Sequence, residues 1–122
     1  MRQEDVIKEV AIQHINSGIG SYGTKSYNAA TSAFFKAITG ICDIIIYKKI
    51  GRLPDNHTER FDILMREYKE IYEIVRNLFR TYRDSYTRLI SQEETKRVKN
   101  GIKRIVKLGG IEKDFAENTE KL

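Results

Sequence analysis

Apolar positions recur along this chain at three- and four-residue intervals, and few strand-favouring residues fall outside those patterns. Val6, Ile7, Val10, Ala11, His14 and Ile15 share one face, which predicts a helix from about Gln3 to Asn16. Ser17, Gly18, Gly20 and Gly23 then predict a flexible break. A second helix is expected from about Ser26 to Ile50. It opens on small residues (Ala29, Ala30, Ser32, Ala33) and continues with Phe34, Phe35, Ile38, Ile41, Ile44 and Ile45. Its apolar character around most of the circumference marks the centre of a bundle or one side of a dimer interface. Gly51 and Pro54 stop it.

Asn56 or Thr58 can cap a short third helix reaching about Tyr68, with Glu59 placed to close a capping box back to Asn56. The fourth helix is read from about Lys69 to Leu89. Ile71, Ile74, Val75, Leu78, Tyr82, Tyr86 and Leu89 form its core arc, and Arg76, Arg80 and Arg83 a ridge opposite. Ser91 and Glu94 make a capping signature for a fifth helix from about Gln92 to Leu108, ended by Gly109 and Gly110. Val98, Ile102, Ile105 and Val106 are its core positions. Short connections make successive helices antiparallel. The expectation is an all-α, up-and-down antiparallel helical bundle of four long helices plus one short one. Residues 1–110 form a single domain, followed by an acidic tail, 111–122, that frays or forms one loose helix.

With 122 residues and 40% apolar content, the chain supports one core. The only cysteine, Cys42, falls inside the apolar second helix, which rules out an internal disulfide and any cysteine-based zinc site. Lys36 and Asp43 interrupt the only run approaching membrane-span length, and M-R-Q-E-D-V lacks the apolar core of a signal peptide, so a soluble cytoplasmic protein with no membrane partner is expected. The net charge of +5 comes from one stretch: residues 76–107 hold ten basic and three acidic groups, whereas residues 1–75 hold ten of each. Such a block attracts phosphate groups, or is simply a solvated helix surface.

The turn R-L-P-D-N-H crowds Arg52, Asp55, Asn56 and His57 into one exposed corner, either a site or a plain turn. His14 reads as a packed or surface-edge histidine, since no metal-ligating residue type sits one turn away. Nothing in the chain matches a Ser-His-Asp hydrolase, a Gly-rich phosphate loop or a zinc site, and no cofactor or metal is expected. Tyr82 and Tyr86 read as core or interface aromatics ahead of base-stacking platforms.

The order of Y-N-A-A-T-S-A-F-F-K-A, a turn carrying Pro and His, Y-R-D-S-Y and a polar helix opened by S-Q-E-E resembles the HEPN domain family, in its small stand-alone prokaryotic or archaeal form. The resemblance spans about residues 5–108. It implies a helical bundle, homodimerisation, and pairing with a small nucleotidyltransferase as toxin and antitoxin. Ribonuclease members carry an arginine followed after four to six residues by a histidine, which Arg52 and His57 satisfy. There a histidine takes the 2′-hydroxyl proton and an arginine stabilises charge on phosphorus. In those members the motif lies late in the bundle. Here Arg83 matches its arginine, no histidine follows, and His57 matches the turn histidine of members without established nuclease activity.

The resulting expectation is a noncatalytic, dimeric nucleotide- or RNA-binding or nucleotidyltransferase-partner module using Arg83, Asp84, Tyr86, Asp55, Asn56 and Arg80. Asp84 is either a salt-bridge partner that orients Arg83 or a solvated carboxylate. The alternative is a metal-independent toxin ribonuclease using His57 with Arg52 or Arg83, the turn carrying His57 folding against Arg83 or its copy across a dimer cleft.

Overall fold

In a computed structural model describing residues 2–122, the chain is an all-α bundle with no strand among the described residues. α1 (Gln3–Gly23), α2 (Tyr27–Ile50), α3 (His57–Glu67), α4 (Lys69–Asp84) and α5 (Gln92–Leu108) are followed by a 3-10 turn (Glu112–Phe115) and a one-turn α6 (Ala116–Glu120). Four long helices and a short α3 make up the bundle. α2 is central, packing against α1, α3, α4 and α5, while α4 lies along α5. Phe34, Phe35, Ile38, Ile41, Cys42, Ile44, Ile45 and Ile46 of α2 are all buried. By length and composition α2 is the one described helix that could cross a membrane, and here the other helices bury it.

Three boundaries differ from the pattern-based reading. α1 does not break at Ser17 but runs on to Gly23. Gly18 is buried there, and a Cβ on it would lie 2.5 Å from the Phe34 ring, so close approach to α2 outweighs the poor helix propensity of glycine. α4 ends at Asp84 rather than Leu89. The side chain of Asn28 holds the chain beyond it, donating to the carbonyls of Ser85 (2.8 Å) and Arg88 (2.7 Å) and accepting from the Ile90 N–H (2.9 Å). A continued helix would use those carbonyls itself. Two members of the expected core arc are consequently outside, with Tyr86 65% and Leu89 90% exposed. Residues 111–122 do not fray: Ile111 and Phe115 are buried in the core and anchor the 3-10 turn and α6.

The caps agree with the sequence. Gly51 ends α2 in the left-handed region at φ +80°, and Ser91 and Glu94 form the capping box of α5. At α3 the Asn56 side chain accepts from the Glu59 N–H, but the Glu59 carboxylate takes the N–H of Asp55 rather than that of Asn56.

Candidate functional site

The corner at 52–59 is held together by Glu59. Its carboxylate accepts from both terminal nitrogens of Arg52, at 2.8 and 3.3 Å, and from the Asp55 N–H at 2.9 Å. The Arg52 guanidinium therefore holds the Glu59 carboxyl below its ordinary value. Arg52 also donates to the carbonyl of Leu53, so its hydrogen bonds close the turn on itself. Arg52, Asp55 and Asn56 are brought together as expected, but His57 makes its contacts elsewhere.

His57 opens α3 and packs its ring near Phe61 and Phe79, with centroids 6.5 and 5.6 Å away. Its Nδ1 lies 2.7 Å from Nη1 of Arg60. A guanidinium only donates, so Nδ1 accepts and the imidazole proton sits on Nε2. Arg60 is fixed in turn by Asp43 of α2 through a two-pronged ion pair at 2.7 and 3.0 Å, with the two side chains only 11% and 18% exposed. Partial burial and the adjacent Arg60 charge push the His57 pKa below the ordinary imidazole value, against an opposing pull from Asp43.

From His57 an aromatic row runs along α4 to its end. Phe79 lies 6.2 Å from Tyr82, Tyr82 stacks on Phe35 of α2 at 4.7 Å, and Tyr86 meets Tyr82 edge-on at 5.4 Å. The two tyrosine hydroxyls are 2.9 Å apart. Burial, then the contact with Tyr86, pushes the Tyr82 hydroxyl up to about 12. Tyr86 leaves most of its ring to solvent.

Arg80 and Arg83, on the same helix, are exposed and make no ion pair or side-chain hydrogen bond among the described residues. Asp84 does not orient Arg83. It pairs with Arg88 at 3.2 Å, and Arg88 also grips Glu94 at 2.6 Å, holding that carboxyl down at about 2. The reason is geometric: Arg88 is four residues on from Asp84 and faces it, whereas adjacent residues on a helix diverge. Arg83 and His57 share no contact either; His57 instead meets α4 at Phe79, one turn before Arg83.

Sequence reasoning missed Arg60 and Asp43. Arg60 was within reach, since it stands three residues from His57 on a capped helix and must share its face. Asp43, on another helix, left no such local signal. No group of three or more His, Cys, Asp or Glu side chains gathers as metal ligands would among the described residues. Compared with family models, curated proteins and solved structures, the chain matches none, so its own residues carry the functional reading.

Proposed function

We propose that this chain is a noncatalytic, HEPN-like module that binds single-stranded RNA or a nucleotide across the end of α4. The observation that carries the reading is the exposed Tyr86 ring, braced edge-on by Tyr82, in the turn that follows the exposed, unpaired Arg80 and Arg83 of α4. A base stacks on such a ring whatever its identity, and free arginines hold the adjoining phosphates. The state of His57 favours binding over cleavage. Its Nδ1 is occupied by Arg60 and its Nε2 already carries a proton, so neither nitrogen is placed to take a proton from a ribose hydroxyl. Its lowered pKa also works against the imidazolium form that a general acid would need. The resemblance adds a homodimer and a nucleotidyltransferase partner to this proposal, and sedimentation of the purified chain tests the first.

The deciding experiment titrates a short labelled oligoribonucleotide by fluorescence anisotropy with EDTA present and then runs the RNA on a gel. Saturable binding, intact RNA and a loss of about tenfold or more in Tyr86→Ala are expected, given roughly 1–3 kcal/mol for one stacked base. Cleavage that disappears in a folded His57→Ala variant would replace this reading with the ribonuclease. An absence of binding at low salt would remove it.

A further inference from the structure

The antiparallel pair α4/α5 encloses a groove of about 320 Å³, bordered by Ile74, Asn77 and Leu78 on one side and Arg97, Asn100, Gly101 and Arg104 on the other. Its apolar floor exists because Gly101 has no side chain. A Cβ there would stand 2.5 Å from Cδ1 of Leu78, so Leu78 settles onto the α5 backbone. Four polar side chains rim that floor, and the fold makes little use of them. Arg97 has no ion pair among the described residues, and Arg104 has only Glu70 at 3.8 Å, with both side chains well exposed and the pair screened by solvent. The amides of Asn77 and Asn100 make no side-chain hydrogen bond to protein among the described residues. Asparagine is a poorer helix former than the Lys, Arg and Glu around it, so local structure does not account for two of them facing each other across mid-helix.

We propose that this groove holds one adenine nucleotide of a single-stranded chain. The base lies on Ile74 and Leu78, an asparagine amide pairs with the N6/N7 edge of adenine, and Arg97 and Arg104 take the phosphates on either side. This extends the binding function proposed above and rests on it. The connection is physical: Arg83, Arg80, Asn77 and Ile74 follow one another at three-residue spacing along a row that winds half a turn around α4, and Tyr86 stands in the turn just beyond its end. From Arg83 to Ile74 that row rises about 14 Å along the helix axis. A strand stacked on Tyr86 reaches the groove by wrapping around the exposed side of α4 past Arg83 and Arg80.

The test titrates labelled oligoadenylate and oligouridylate, each in ribose and deoxyribose form, against wild type, Arg97→Ala, Arg104→Ala, Asn100→Ala and a control, Lys113→Ala, outside the groove. All are exposed positions, and a melting curve for each variant verifies the fold. Oligoadenylate is expected to bind about tenfold tighter than oligouridylate, with Asn100→Ala erasing the preference. Each arginine variant should flatten the dependence of log affinity on log salt by about 0.7, the contribution of one phosphate contact on a single strand. The two sugar forms should bind alike, because no groove residue is assigned to the sugar; a strong preference for ribose would overturn that arrangement. Arginine variants that lose no more than Lys113→Ala would overturn the groove while leaving RNA binding at Tyr86 standing. A wild type that binds no oligonucleotide would overturn both.

Discussion

Nδ1 of His57 accepts a hydrogen bond from Arg60, whose guanidinium is clamped by Asp43. An imidazole held this way is fixed in one tautomer and resists a second proton, because protonated Nδ1 would face a cation. A ring that looks like a catalytic histidine in sequence is thereby turned into a neutral imidazole with its proton on Nε2.

Replacing Arg60 with Ala should therefore raise the His57 pKa. The variant removes the cation that depresses it and leaves the carboxylate of Asp43, which acts in the opposite direction. An NMR titration of the imidazole carbon-bound protons reads the shift directly. A His57 pKa that is unchanged or lower in a folded Arg60→Ala variant would contradict the assigned contact.

Stability should fall on mild acidification. His14 and His57 both sit below the ordinary imidazole value of 6.5, each mainly through burial, so the unfolded chain takes up these protons more readily than the folded one. Their stabilisation is complete above that value, declines as pH falls through it, and levels off below the folded values. The lowered carboxyls of Glu59 and Glu94 act in the same direction, but only below their ordinary value of 4.5. Urea midpoints measured across both windows should show two separate declines. The upper one should shrink in a His14→Gln, His57→Gln double variant.

Gly18 and Gly20 should respond to alanine with opposite signs. At Gly18 the new methyl meets the Phe34 ring at 2.5 Å inside the core, and overpacking of about 1–3 kcal/mol exceeds the helix-propensity gain of about 1 kcal/mol. At Gly20 nothing lies within 4 Å, so the propensity gain stands alone and Gly20→Ala should stabilise by about 0.5–1 kcal/mol. Chemical denaturation of the two variants side by side checks the pair.

The same two glycines show why part of the fold was legible in the sequence and part was not. Helical periodicity and caps such as Ser91 with Glu94 are local signals, so the helices and the central position of α2 followed from the sequence. A glycine reads as a break until its neighbour is known, and Gly18 finds Phe34 on another helix. The end of α4 was misplaced for the same reason, since Asn28 acts on carbonyls nearly sixty residues away in the chain. At the candidate site, the corner residues and the arginine ridge were visible as spacing. The pairing of His57 with Arg60 and Asp43, rather than with Arg52 or Arg83, depends on which way the turn leaves α2. Only packing determines that.

Asn28 should prove to be the residue on which the turn after α4 depends most. Its amide satisfies two carbonyls and its oxygen accepts one N–H, and every partner belongs to the segment carrying Tyr86 and Leu89. At about 1 kcal/mol net for each hydrogen bond, Asn28→Ala should cost about 2–3 kcal/mol. Asn28→Asp should be no better, because a carboxylate keeps the acceptor for Ile90 but turns a negative oxygen toward the carbonyls of Ser85 and Arg88. Protonating that carboxyl restores one donor, so the aspartate variant should recover part of its loss on acidification, relative to the alanine variant. Denaturation at two pH values distinguishes the two effects. Freeing the turn also loosens Tyr86, so both variants should bind oligoribonucleotide more weakly, even though Asn28 lies beneath the proposed contact rather than in it. Binding unchanged in a folded Asn28→Ala variant would show that the position of Tyr86 does not matter to the ligand, and the stacking role proposed for it would fall.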